Sequence, residues 1–202
     1  MTSDASGSQH SGRRPIRLQQ VQPDDWAAHR DIRLEMLQDA PDAFWFTYAD
    51  EALFEEADWR SSIEGAWLVQ AHDDTGVAGS AGLGSHWEPE RAHTATLFGM
   101  YVAPRARGTG VGEALVRTVL DEARRRGKDR VVLEVADINP SAIALYERCG
   151  FVRTGLTHAH PRLTDSLEVE MEHVFPEAGA PDLGESSRPT SRSTRRRAKV
   201  DP

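Results

Sequence analysis

The chain has 202 residues, 39% of them hydrophobic and 28% charged, with 16 glycines and a formal net charge of -8. Such composition is ordinary for a globular protein; it excludes a wholly disordered or fibrous chain and favours one domain with a sizeable core over two cramped ones. The charge is uneven, with 16 basic and 27 acidic side chains between Ile16 and Phe175 but six basic against four acidic after Phe175.

An acidic body repels phosphate backbones and attracts cations, so nucleic acid is not expected as its partner and a cationic amine fits better. The lone Cys149 excludes an internal disulfide and a cysteine-based zinc site, and indicates a reducing, cytoplasmic setting. Residues 1–15 lack the apolar stretch of a secretory signal, and no run approaches the roughly 18 apolar residues of a membrane span. Residues 1–15 and 176–202 are rich in Ser, Gly, Pro, Thr and charge. They are too poor in large apolar groups to offset their ordering entropy, and read as disordered tails around a domain spanning residues 16–175.

Within that domain the hydrophobic pattern switches between period 2 and period 3.6. Ile16, Leu18 and Val21 predict a first strand. After Pro23 a helix is expected, with Asp24 and Asp25 in its first turn and Trp26, Ile32, Leu34, Met36 and Leu37 as its apolar residues. A weaker second helix is expected between Asp50 and Glu64. A hairpin follows, from Ala66 to Ala71 and back from Val77 to Gly84 across a turn at Asp73 to Gly76, with a longer strand from Thr94 to Val102. Val111, Leu115 and Val119 mark an amphipathic helix ending in Arg124, Arg125 and Arg126 before Gly127, which suits both the helix dipole and a glycine stop. Val131 to Val135 is a strand of buried type, Ser141 to Cys149 a helix stopped by Gly150, and Phe151, Val152 and Ser166 to Val174 supply the last strands. The class is α/β, or mixed α+β, with a mixed central sheet.

Arg105-Ala106-Arg107-Gly108-Thr109-Gly110-Val111-Gly112 lies between a strand and a helix N-terminus. Three alternating glycines let backbone approach a ligand closely, and the helix end offers unpaired N–H groups at its positive pole. The bland alternative is a tight turn. The spacing fits neither the P-loop nor the Rossmann fingerprint. Arg105-x-x-Gly108-x-Gly110 resembles the acyl-CoA signature of the GCN5-related N-acetyltransferases. Asn139-Pro-Ser-Ala142-Ile-Ala-Leu145-Tyr146-Glu-Arg-Cys-Gly150-Phe151, about 30 residues on, resembles that family's second signature. The resemblance covers Thr94 to Val152 best and implies a V-shaped mixed sheet of six to seven strands flanked by about four helices. It further implies acetyl-CoA as cosubstrate, without a metal, and a primary amine as acceptor by direct attack in a ternary complex. The backbone of Met100, Tyr101 and Val102 would pair with pantetheine, while Arg105, Arg107, Gly108, Thr109, Gly110, Val111 and Gly112 hold the pyrophosphate. Gly99, inside an otherwise good strand, fits a bulge there.

By the same resemblance Tyr146 stands near the CoA sulfur as proton donor, its alternative being plain core. Asn139 contacts CoA, or only caps its helix. Glu134 interrupts a run of Val and Leu and must be solvated or paired. Leu133-Glu134-Val135, twelve residues ahead of Tyr146, is similar to the ribosomal-protein-alanine acetyltransferases, whose matching glutamate is a proposed general base; a structural role is the alternative. Cys149 reads as buried rather than nucleophilic, and His158 and His160, placed in a loop before Pro161, as a pair without a third metal ligand. Glu88 and His93 are candidates for the acceptor side. Phe44, Trp45, Phe46 and Tyr48 either wall the acceptor site or bury their loop, burial being the plainer reading. A small amine is the favoured acceptor, with a protein lysine or N-terminus as alternative and a non-catalytic acyl-CoA-binding module as the other. The resemblance leaves room for a homodimer.

Overall fold

The computed structural model describes residues 15–176; the two predicted tails, Pro15 and Pro176 apart, lie outside the described residues. The chain runs β1 (Arg17–Gln20), α1 (Trp26–Asp39), α2 (Tyr48–Glu51), α3 (Glu56–Glu64), β2 (Trp67–Asp73), β3 (Gly76–Ser85), β4 (Thr94–Val102), α4 (Val111–Arg125), β5 (Arg130–Ala136), α5 (Pro140–Arg148), β6 (Val152–Ala159) and β7 (Leu167–Val174). Seven strands form one sheet in the order β1-β2-β3-β4-β5-β7-β6. Every neighbouring pair is antiparallel except β4 and β5, which α4 joins as a parallel crossover. No helix among the described residues is long and apolar enough to cross a membrane.

The main core lies between α4, α5 and one face of the sheet. Val111, Leu115, Val116, Val119, Leu120 and Ala123 of α4 are all buried there with Val131, Leu133 and Val135 of β5. The small residues of β3 allow close packing on both faces of the sheet. A Cβ on Gly79 would stand 2.6 Å from the Tyr101 carbonyl and 3.0 Å from Leu115, and one on Gly82 would stand 2.5 Å from the Phe98 ring. On the other face α1 packs Ile32, Met36 and Leu37 against Tyr101 and Ala103.

The single helix expected between Asp50 and Glu64 is two. The Thr47 hydroxyl donates to the Asp50 carboxylate at 2.6 Å and accepts from the Asp50 amide at 3.1 Å, starting α2 early. The Asp58 carboxylate then accepts from the Glu55 amide at 2.9 Å, starting α3 afresh. Paired side-chain caps outweigh helix continuity in a stretch this short. His158, expected in a loop, lies on β6.

Two irregularities open the sheet. β4 pairs with β5 only at Thr94, Ala95 and Thr96, whereas β5 pairs with β7 on its other edge along its whole length. The two parallel strands therefore splay toward their C-terminal ends. The β3–β4 register slips between Ser80 and Gly82, placing Ala81 opposite both Gly99 and Met100. Gly99 there has φ +58°, the left-handed region that glycine enters without strain. The bulge turns Met100 and Val102 toward the α4 core, and Tyr101 and Phe98 toward the α1 side.

Candidate active site

The splay opens a cleft of about 1370 Å³. Met100, Tyr101 and Val102 form one wall, Asn139 and Tyr146 the other, and the loop from Arg105 to Gly112 its outer end. Every residue expected to contact the cosubstrate lines this cleft. Gly108 and Gly110 hold φ of +75° and +92°, and Gly110 is the N-cap of α4, its carbonyl accepting from the Ala114 amide at 3.1 Å. The amides of Val111 and Gly112, in the first turn of α4, thus lie at the cleft with the positive helix pole behind them. Val111 is 2% exposed in the core, so only its backbone reaches the cleft.

The two arginines stand at the rim, each tethered. Arg105 donates to the Thr75 hydroxyl at 2.9 Å and the Val77 carbonyl at 2.7 Å. Arg107 donates to the Val102 carbonyl at 3.1 Å and pairs with Asp39. One of the strand carbonyls expected to meet pantetheine is thereby engaged by Arg107 in this structure. The Asn139 side-chain Oδ1 accepts from the Ala142 amide at 3.1 Å and the Ser141 hydroxyl at 3.0 Å, capping α5 while the residue also lines the cleft. Ser141 and Arg148 line it too, without having been anticipated.

Tyr146 is buried at the inner end, its ring tilted on Phe151 at 5.8 Å. Burial, helped by nearby Cys149, pushes its phenol well above the usual range, so the hydroxyl keeps its proton at neutral pH. Cys149 is itself buried, and burial raises its thiol in the same direction, which matches a core role.

Glu134 lies elsewhere. Leu133 and Val135 point into the core beside Tyr146, so Glu134 projects from the opposite face of β5 and does not line the cleft. It faces Glu170 across the ladder, and its carboxylate is 3.7 Å from His158 Nε2. Glu168, 8% exposed on the same face, has its carboxyl pushed upward by burial first and by the charge of Glu134 next. Glu170 is buried as well, 3.4 Å from Arg91. Strand alternation alone would have put these acids together once β5 and β7 were known to be neighbours. His160 Nδ1 accepts the amides of Arg162 and Leu163 at 3.2 and 3.1 Å, a turn-closing role. Among the described residues no group of His, Cys, Asp or Glu is placed to hold a metal ion. Glu88 and His93 line neither this cleft nor the cavity described next.

A second cavity of about 380 Å³ lies across the bulge, between α1, α3, β3 and the segment after α1. Phe44 and the Gly99–Met100 bulge separate it from the cleft, Phe44 lining both. The aromatic segment is not buried as expected: Trp45 and Phe46 are 69% and 58% exposed at the rim, and Tyr48 is 40% exposed. Arg162 holds this loop by its backbone, donating to the carbonyls of Pro41 and Trp45 at 2.7 and 2.6 Å, which leaves the aromatic side chains outward. Inside, Glu51 accepts a two-pronged hydrogen bond from Arg33 at 2.7 and 2.5 Å. This pair joins residues 18 apart across a loop, and no local pattern announced it.

Solved structures share this architecture. The chain superposes with TM-score 0.69 on yncA from Salmonella typhimurium, solved with its cofactor acetyl-CoA, over 84% of this chain and 99% of that one at 22% identity. It matches a ribosomal-protein-alanine N-acetyltransferase from Brucella melitensis at TM-score 0.67, over 79% and 99%, with 23% identity. The splayed sheet is thus the acyl-CoA N-acyltransferase fold. The sequence profile of the Acetyltransferase (GNAT) family matches residues 28–151, and the chain belongs to that family. It is 34% identical over 146 residues to N-acetyltransferase 8B of Homo sapiens, covering 67% of this chain and 63% of that protein. It is also 34% identical over 136 residues to mycothiol acetyltransferase of Salinispora tropica, covering 64% and 41%. The chain therefore spans less than two thirds of either relative's length.

Proposed function

We propose that the protein transfers an acetyl group from acetyl-CoA to a primary amine by direct attack within a ternary complex. The observation that carries this reading is the cleft itself: a glycine-built helix end opens between splayed parallel strands and leads inward to a protonated, buried tyrosine. Acetyl-CoA supplies an activated thioester. The α4 amides, Arg105 and Arg107 hold its phosphates, and the free strand edge beyond Thr96 lies along its pantetheine. Tyr146 donates its phenolic proton to the departing sulfur as the new C–N bond forms and the C–S bond breaks. Glu134, itself exposed on the other face of β5 with His158 beside it, takes the proton from the attacking amine through water. A small amine is the favoured acceptor.

Thiol release from acetyl-CoA, followed against panels of amines and peptides, tests the reading. Release with an amine is expected, and Tyr146→Phe should lower kcat by about 100-fold while acetyl-CoA affinity stays within about twofold. Acetyl-CoA binding without release for any acceptor would make the protein a binding module. Full turnover in Tyr146→Phe would remove the proton donor.

A further inference from the structure

The acidic composition points toward a cationic acceptor, but the second cavity has a different character. Its walls include Ile32, Met36, Phe44, Phe54, Trp59 and Phe98. Its volume of about 380 Å³ falls in the range of small-ligand sites and accommodates one ring or branched chain plus a short linker. We propose that the acceptor is a primary amine with an aromatic or branched aliphatic body, which sits in this cavity while its amino group reaches past Phe44 and the Gly99–Met100 bulge into the cleft. This inference rests on the acetyl-transfer reading and names the class of its acceptor.

Four observations carry it. The cavity meets the cleft at Phe44 and at a bulge whose Gly99 faces one side and Met100 the other, so a ligand in the cavity points its end at the place where acetyl transfer would occur. The carboxylate inside, Glu51, is already bound by Arg33, whose guanidinium also covers the Phe44 ring at 5.9 Å. Neither that carboxylate nor that ring face is left for a second ammonium, and burying one without a partner is costly. His29, held neutral by burial and by Arg33 with a pKa of about 4, adds no charge. Trp45 and Phe46, exposed at the rim, would cover the occupant rather than water.

The full chain is assayed for thiol release from acetyl-CoA with 2-phenylethylamine and 3-methylbutylamine against spermidine and putrescine. In parallel, direct binding of 2-phenylethylamine is measured by calorimetry. The apolar amines should exceed the polyamines in kcat/KM by about 100-fold. Ser62→Trp, at an exposed position of α3 that lines the cavity, fills it with a ring. It should weaken 2-phenylethylamine binding and kcat/KM at least about tenfold with acetyl-CoA affinity unchanged. Phe98→Ala, which removes a wall of the same cavity, provides a second variant with the same expected direction. Polyamines as the better substrates, or apolar-amine kinetics indifferent to both variants, would overturn the inference while leaving acetyl transfer intact. Tight binding of 2-phenylethylamine that both variants weaken, without thiol release from any amine, would instead uphold the cavity assignment and overturn the acetyl-transfer reading.

Discussion

Glu168 and His29 carry the clearest electrostatic strain in the domain, with opposite signs. Glu168 is buried beside Glu134, which raises its carboxyl, so the folded chain holds that proton more tightly than the unfolded one. Its contribution is present below the ordinary carboxylate value and is lost as pH rises through the raised one. Glu168→Gln should therefore gain thermal stability relative to the parent at pH 8 and lose that advantage near pH 4, as melting curves at the two pH values will show. His29 is the reverse case. Burial, then Arg33, lowers it to about 4, so its contribution is complete above the ordinary histidine value near 6.5 and disappears as pH falls toward 4. The span corresponds to about 3 kcal/mol. Denaturant unfolding at pH 7 and pH 4.5 should show a smaller acid loss in His29→Phe than in the parent. Neither burial was legible from spacing, because Glu168 meets Glu134 only where β7 pairs with β5 and His29 is buried only where α1 packs on Trp59 of α3, although Arg33 stands one turn along the same helix. Tyr146 and Asn139 were legible because their positions follow from a contiguous run and one helix start.

The stretch from β4 to α5 was read almost to the residue, and the reason is local redundancy. Apolar periodicity, the arginine-rich end of α4 and the glycines around it all agree on the same boundaries. The bulge at Gly99 was legible for a similar reason: glycine in a good strand has few other uses. The segment after α1 was not, since its apolar content predicts burial and only the Arg162 tethers, made from a loop more than 100 residues away, hold it open. The loop before α4 makes a definite demand on its glycines. Gly110 has φ +92° at the helix N-cap, where a β-branched side chain is strained and the amides it positions would turn from the cleft. Gly110→Val should weaken acetyl-CoA binding at least about tenfold and cost roughly 1–3 kcal/mol of stability, read by calorimetry and denaturant unfolding. Unchanged affinity would mean that the α4 end does not hold the phosphates.

The acidic excess of the domain is spread unevenly over the fold, and this changes what it can do. Glu134, Glu168, Glu170 and Glu172 alternate onto one face of β5 and β7, whereas the cleft carries Arg105, Arg107 and Arg148 at its rim. The second cavity holds Arg33 against Glu51 and a neutral His29, which leaves it close to uncharged. Long-range attraction of a cation to the acidic body decays within a Debye length of about 10 Å at 0.1 M salt, while an apolar cavity is indifferent to screening. If the body's charge recruited the acceptor, its KM would climb steeply with ionic strength. With the cavity selecting the acceptor, the KM for 2-phenylethylamine should change less than about threefold between about 0.05 and 0.5 M sodium chloride. The KM for acetyl-CoA should rise more over the same range, because a polyanion held by exposed arginines and a helix end is the more screened of the two. Measuring both constants in one salt series separates the two accounts, and a steep rise for the amine alone would return recruitment to the acidic face.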